Sequence, residues 1–176
     1  MEPTPIVPAK GAAKILGLTV RDAATVMDAG LAGRTFSSGA SKFVEEAKVA
    51  KLAQSPRVEG EHPDILQVRV RAAVPDEDDA SRNFKGWSAD LNPADREAGV
   101  DRWWRVAPEK RHHGLLVASV CGFIVHVGQI EGYEEGAEGK VRAVLSPVSD
   151  QVRNQFLGHR MRGPAGGNTI LIPASN

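Results

Sequence analysis

The side chains best equipped for chemistry in this 176-residue chain are three tryptophans, five histidines and one cysteine, together with the arginines beside the tryptophans. The most concentrated of these is Asp101-Arg102-Trp103-Trp104-Arg105-Val106. Adjacent tryptophans on a strand point to opposite faces, so one enters a core and the other needs a second layer, a partner or a ligand. Arg102 and Arg105 flank the pair, an arrangement suited to stacking on a base. With Trp87 they define a candidate recess for a nucleotide or a modified, flipped or single-stranded base, made of Trp87, Arg102, Trp103, Trp104 and Arg105. The competing expectation is a barrel in which neighbouring elements cover both rings.

Elsewhere the reactive residue types lack the company that chemistry requires. His112 and His113 are adjacent, but no carboxylate or third histidine stands at ligand spacing, and His126 is isolated on a strand. The acidic stretch 75–79 has neither the spacing nor the turn glycine of a calcium loop and reads as solvated. Cys121 lies in an apolar run and reads as a small buried hydrophobe. No nucleophile with its base, no phosphate-cradling loop and no paired catalytic carboxylates are evident, so catalytic residues, metal ligands and cofactors are expected to be none. The longest apolar run, residues 115–127, is too short for a bilayer and is interrupted by Gly122 and His126. The first ten residues carry no export signal. A cytoplasmic protein without a membrane partner is the expectation.

Formal net charge is zero, yet it is unevenly spread: +2 over residues 1–59, −5 over 60–101 and +3 over 102–176. Both ends are mildly basic, and phosphate contact depends on local charge rather than on the total.

The elements that would position these groups divide at residues 54–63, a polar stretch with two prolines and a glycine. Pro3, Pro5 and Pro8 suggest a loose lead-in. From Lys10, apolar Ala12, Ala13, Ile15 and Leu16 share a helical face that stops at Gly17. Thr19 is a candidate N-cap, with Asp22 at the positive end of a second helix that buries Val20, Ala23, Ala24, Val26 and Met27. Glycine-punctuated residues 31–43 have the size of a two-stranded wing turning at Ser37-Ser38-Gly39. Residues 44–54 close the unit as a third helix.

These residues, 11–54, resemble the winged helix-turn-helix of MerR-type and phage-excisionase proteins: Ala12-Ala13 with Leu16-Gly17-Leu18-Thr19 in the first helix and turn, Gly30-Leu31 after the second helix, then a basic glycine-turned wing. The resemblance implies double-stranded DNA as partner, contacted by Thr19, Arg21 and Thr25 in the major groove and by Arg34, Ser37, Ser38 and Lys42 on the wing. The second helix departs from that family in offering only Arg21, beside Asp22 and Asp28, so tight binding implies a homodimer or help from elsewhere in the chain.

Beyond residue 63, residues 65–72 alternate as a half-buried strand projecting Arg69 and Arg71 from one face. Residues 92–99 form a helical turn, and 115–120 with 123–128 a hairpin around Cys121-Gly122. Residues 130–133 extend that sheet, 140–145 add a strand, 152–157 a short helix, and 169–173 a last strand after a turn at 163–167. The expected fold class is α+β, with the winged module (1–54), a linker (55–63) and a small, strongly bent sheet or barrel (64–176). This second unit is loosely similar to PUA-like barrels, through Arg102-Trp103-Trp104, Gly122-Phe123-Ile124 and Phe156-Leu157-Gly158-His159-Arg160. That similarity implies a pocket for a nucleotide or modified base.

Three functions follow as expectations. The first is a DNA-binding regulator or accessory factor with a ligand-sensing or dimerising second domain. The second is a nucleic-acid reader whose barrel holds RNA or a modified base. The third is a protein-interaction module.

Overall fold

The computed structural model describes residues 4–161 and 168–175. Pro3 and the expected turn at 163–167 lie outside that range. The chain is mixed α and β, and no helix among the described residues is long and apolar enough to cross a membrane.

The lead-in is not loose. Ile6–Pro8 forms β1, an edge strand antiparallel to β3 (Ser41–Glu45), while β2 (Phe36–Ser38) pairs with the other side of β3. Pro8 is tolerated because an edge strand does not need every N–H. Helix α1 (Ala9–Leu16) buries Ala12, Ala13 and Leu16 and ends on Gly17 in the left-handed conformation, φ 66°. After Leu18, Thr19 caps α2 (Val20–Asp28), accepting from the Asp22 N–H at 3.1 Å and donating its hydroxyl to the Asp22 carboxylate at 2.9 Å. Helix α3 is shorter than the apolar spacing suggests, Glu46–Ala53, because Val44 belongs to β3 and fills the core from there. The hairpin also turns one step later than the serines suggest. Ser37 and Ser38 pair with Lys42 and Ser41, leaving Gly39-Ala40 as the turn, where Gly39 takes φ 58°. Arg34 lies before the strand.

The second unit centres on a five-stranded sheet in the order β10-β4-β7-β8-β9, comprising β10 (Thr169–Ile172), β4 (Ile65–Arg69), β7 (Leu115–Val120), β8 (Phe123–Glu135) and β9 (Val141–Ser146). It is open rather than closed into a barrel: β9 and β10 are its edges. All pairings are antiparallel except β4 with β7. The 115–127 hairpin forms as the sequence suggests, through Cys121 at φ 49° and Gly122 at φ 88°, the two left-handed residues of a type I′ turn. Register shifts at Ala118/Ser119 and Ile130/Gly132 supply the bend.

Both faces of this sheet are covered, which corrects the half-buried expectation for residues 65–72. One face packs Leu66, Val68, Leu116, Ala118 and Val120 against Trp87, Val100 and Val106 of the long 84–106 excursion. The other packs Ile65, Leu115, Val117 and Ile124 against Phe156 of α5 (Asp150–Phe156). Full burial of a phenylalanine such as Phe156 contributes about 1.5–3 kcal/mol. The whole connection from β4 to β7, residues 70–114, contains the short hairpin β5 (Val74–Pro75) and β6 (Phe84–Lys85), then α4 (Pro93–Ala98), capped by Asn92 accepting from the Asp95 N–H at 2.9 Å. Hairpin and helix meet through two glycines: a Cβ on Gly99 would stand 2.1 Å from the Gly86 carbonyl oxygen.

The two units are joined by more than the linker. Phe123 from the β7–β8 turn is buried among the N-terminal helices, and Ala29 contributes to the first sheet face while accepting from the Ala89 N–H at 2.9 Å. The linker itself is tied down. Val58 N–H donates to Arg160 O (3.0 Å), Arg160 N–H to Pro56 O (2.7 Å), and the Gln155 side chain donates to the Glu59 and Glu61 carbonyls.

Candidate functional site

The face expected to meet DNA is assembled from α2 and the β2–β3 hairpin. Ala23, Val26 and Met27 point inward, which leaves Arg21 and Asp28 exposed and Thr25 half-buried on the outer side. Hairpin residues Ser37, Ser38 and Lys42 are exposed, as is Arg34 in the approach to it. Six of the seven residues lie on α2, at its cap or on the hairpin, and Arg34 stands in the segment between them, but their chemistry is unequal. The Thr19 hydroxyl is committed to capping α2, and the Thr25 hydroxyl donates to the Arg21 carbonyl oxygen at 3.1 Å. Lys42 is held by Asp28 at 2.5 Å, which ties the hairpin to the end of α2 and neutralises the hairpin's cation. Among the described residues, no ion pair involves Arg21 or Arg34, and both are exposed.

The sheet adds two cations to this face. Arg69, the last residue of β4, and Arg71, just beyond the strand's end, line a cleft of about 500 Å³ together with Arg21, Asp22 and Thr25 of α2. Three arginines and one carboxylate therefore line a concavity at the join between the units. Gln67 and Ser119 form its floor, with Gln67 Nε2 donating to Ser119 Oγ at 3.2 Å while Gln67 Oε1 is buried without a partner. The cleft also receives Cys121, whose thiol donates to the Asp22 carbonyl oxygen at 3.5 Å. Burial pushes that thiol up to about 11, so it stays protonated and unreactive at neutral pH.

The aromatic recess is divided. Trp103, Trp104 and Arg102 line one cavity of about 760 Å³ beside Arg82 and the carboxylates Asp76 and Asp79. Trp87 is buried and lines a different cavity with Arg96 and His126. Residues 101–107 are not a ladder strand, so the two indoles are not sent to opposite faces by a pleat; only Trp104 makes an isolated bridge, to Val141. Both indole N–H groups are committed internally, Trp103 to Asp79 Oδ2 at 2.6 Å and Trp104 to the Val100 carbonyl oxygen at 2.9 Å. Arg102 is buried in a pair with Asp101 at 2.6 Å, and that carboxylate also accepts from Arg142 at 2.9 Å. Arg105 points away, exposed, 3.7 Å from Glu138. The tryptophan pair is thus held mainly by the protein's own polar groups.

The acidic stretch is likewise structural rather than solvated. Asp76 pairs with Arg82 at 2.6 Å with its side chain only 3% exposed, while Glu77 and Asp78 of this stretch are exposed. Burial pushes the Asp76 carboxyl up, but hydrogen bonding and the charge of Arg82 outweigh it, leaving a net lowering. Asp79 is lowered to about 2, chiefly by the Ser81 hydroxyl, with the Trp103 indole and Arg82 adding to it.

Three polar residues that line the cavities stand outside the candidate sites read from the sequence: Gln67, Arg96 and His126, the last read there only as an isolated strand histidine. Gln67 interrupts an otherwise apolar strand, a pattern compatible with burial on both faces. Arg96 and His126 carry no local signal, because neighbours distant in the chain bury them. Comparison with protein-family models, with curated proteins and with solved structures finds no match for this chain.

Proposed function

We propose that residues 6–54 act as a winged helix-turn-helix that docks on duplex DNA, with the sheet unit as a rigid support that adds phosphate contacts. One observation carries this reading: α2, capped at Thr19 and seated on α1 through a three-residue turn, presents Arg21 at the rim of a cleft shared with Arg69 and Arg71, beside an exposed hairpin. Helix N-terminal residues in that arrangement reach base edges, while hairpin and flanking cations meet phosphates. The face is modestly charged, so binding is salt-sensitive and weakly sequence-selective for a single copy.

The test is fluorescence anisotropy of the intact chain with a mixed-sequence duplex between 50 and 200 mM salt. Each cation that contacts a phosphate contributes a slope of about −0.9 to the plot of log affinity against log salt. Arg21→Ala, Arg34→Ala and Arg71→Ala are each expected to flatten the slope by about one while leaving the melting temperature unchanged. Absence of binding at 50 mM salt, or variants that leave the slope intact, overturns the proposal.

A further inference from the structure

The cavity of about 760 Å³ beside Trp103 adjoins the α2 cleft, because Arg69, Val70, Arg71 and Asn168 line both. Its volume lies within the range of ligand sites. Among the described residues its lining carries six cations and three carboxylates, and they differ in access. Asp76 is buried against Arg82 at 2.6 Å, and Asp79 lies 3.6 Å from Arg82 while accepting the Trp103 indole N–H. Asp78, the exposed carboxylate, has Lys85 3.5 Å away. Arg82 and Arg102 are buried in this network and in the Asp101 pair. Two accessible cations stand outside it. Arg71 is exposed, and no ion pair among the described residues involves it. Lys140 is 39% exposed in its side chain, and its partner at 3.2 Å, Glu138, is more exposed still.

Trp103 supplies an aromatic ring to the same cavity, and it is half-buried rather than sealed in the core. Its orientation is fixed twice over. Asp79 holds the indole N–H at 2.6 Å, and Gly136 packs so closely that a Cβ there would stand 2.6 Å from Cε3 and Cζ3 of the ring. A ring already held in place loses little further freedom when something stacks on it. Accessible cations around a fixed aromatic ring are the combination that binds a single strand of nucleic acid, phosphates on the cations and a base on the ring. A duplex keeps its bases stacked on one another and leaves such a ring unused.

We propose that this cavity holds a short unpaired stretch of DNA, with one base stacked on Trp103 and neighbouring phosphates on Arg71 and Lys140. The mixed lining suits a strand whose bases are apolar on their faces and polar at their edges. An inorganic anion would leave the ring unused, and an aliphatic ligand would leave the cations unused. Trp103 and Lys140 lie outside the face assigned to duplex DNA, so the proposal goes beyond that reading and fails separately from it.

The experiment is fluorescence anisotropy of the intact chain with a labelled oligothymidylate, which forms no duplex, over the same salt range. Saturable binding is expected, weakened about fivefold or more by Trp103→Ala. Trp103→Phe keeps a ring but removes the bond to Asp79, and it is expected to retain most of the affinity, which separates stacking from lost packing. Lys140→Ala and Arg71→Ala are each expected to flatten the plot of log affinity against log salt by about 0.7, the single-strand value per phosphate. Arg34→Ala, outside this cavity, is expected to leave oligothymidylate binding unchanged. Lys140→Ala and Trp103→Phe keep the proposal falsifiable where Trp103→Ala unfolds the chain. Absence of oligothymidylate binding, a Trp103→Phe variant as weak as one that lacks the ring, or a slope indifferent to Lys140→Ala overturns it. Binding of oligothymidylate without binding of duplex supports it and overturns the duplex reading alone.

Discussion

The Lys42–Asp28 contact turns the proposed DNA face into a quantitative wager. Asp28 holds the hairpin's lysine at 2.5 Å and adds a negative charge where a phosphate would approach. Asp28→Asn removes that charge and releases Lys42. Both side chains are substantially exposed, 54% for Lys42 and 39% for Asp28, so losing the pair costs at most about 1 kcal/mol of stability. The effect on binding is larger. One additional lysine–phosphate contact contributes a slope of about −0.9, equivalent to roughly eightfold in affinity at 0.1 M salt and roughly fourfold at 0.2 M, relative to 1 M. Asp28→Asn is thus expected to bind mixed-sequence duplex DNA more tightly, with the gain shrinking as salt rises. Fluorescence anisotropy at the two salt concentrations reads both quantities. A gain of affinity cannot arise from partial unfolding. Unchanged or weaker binding with an unaltered salt slope would refute the placement of the hairpin against phosphate.

The remaining predictions concern the framework. Asp101→Asn leaves Arg102 buried without its carboxylate and is expected to cost about 3–5 kcal/mol in urea unfolding, because an unpaired buried charge is worse than none; a loss below about 1 kcal/mol would show that the pair is not sequestered from water. Asp79 and Asp76 have lowered pKa values in the folded chain, so their contribution is fully present above the unfolded value of 3.8 and is lost as pH falls toward about 2. The near-ultraviolet circular dichroism of Trp103 should therefore hold steady down to about pH 4 and change between there and pH 2, and a change already complete at pH 5 would contradict the Asp79–indole bond. Cys121, with its thiol pushed up to about 11, should resist alkylation at pH 8 in the folded chain and react once the chain is unfolded in urea.

Much of the N-terminal unit was legible because its determinants are local. A helix stop needs a residue that accepts positive φ, and Gly17 follows Leu16; an N-cap needs a hydroxyl before the first turn, and Thr19 stands before Val20. The Cys121-Gly122 hairpin was legible for the same reason, as was the turn from Asn92 to Gly99. What failed was whatever depends on pairing at a distance. Strand β1 was hidden in a proline-rich lead-in because its partner, β3, lies more than thirty residues on. The sequence likewise could not say whether the final sheet closes, because closure depends on whether β9 meets β10. The two stand on opposite edges of an open sheet.

The candidate sites divide along the same line. Sequence alone determined that Arg21 sits at the start of a helix after a tight turn, that Arg69 lies on a strand, and that Trp103 and Trp104 are flanked by arginines. Tertiary structure decided what those side chains face. It drew Arg69 and Arg71 into a cleft with Arg21, sent Trp87 to a cavity apart from the other tryptophans, and committed Lys42, Arg102 and both indole N–H groups of Trp103 and Trp104 to internal partners. The physical reason is reach. Dihedral preferences and caps act within a turn or two of the chain, whereas burial, charge pairing and the orphaning of a polar atom such as His126 Nε2 are set by residues that only folding brings near.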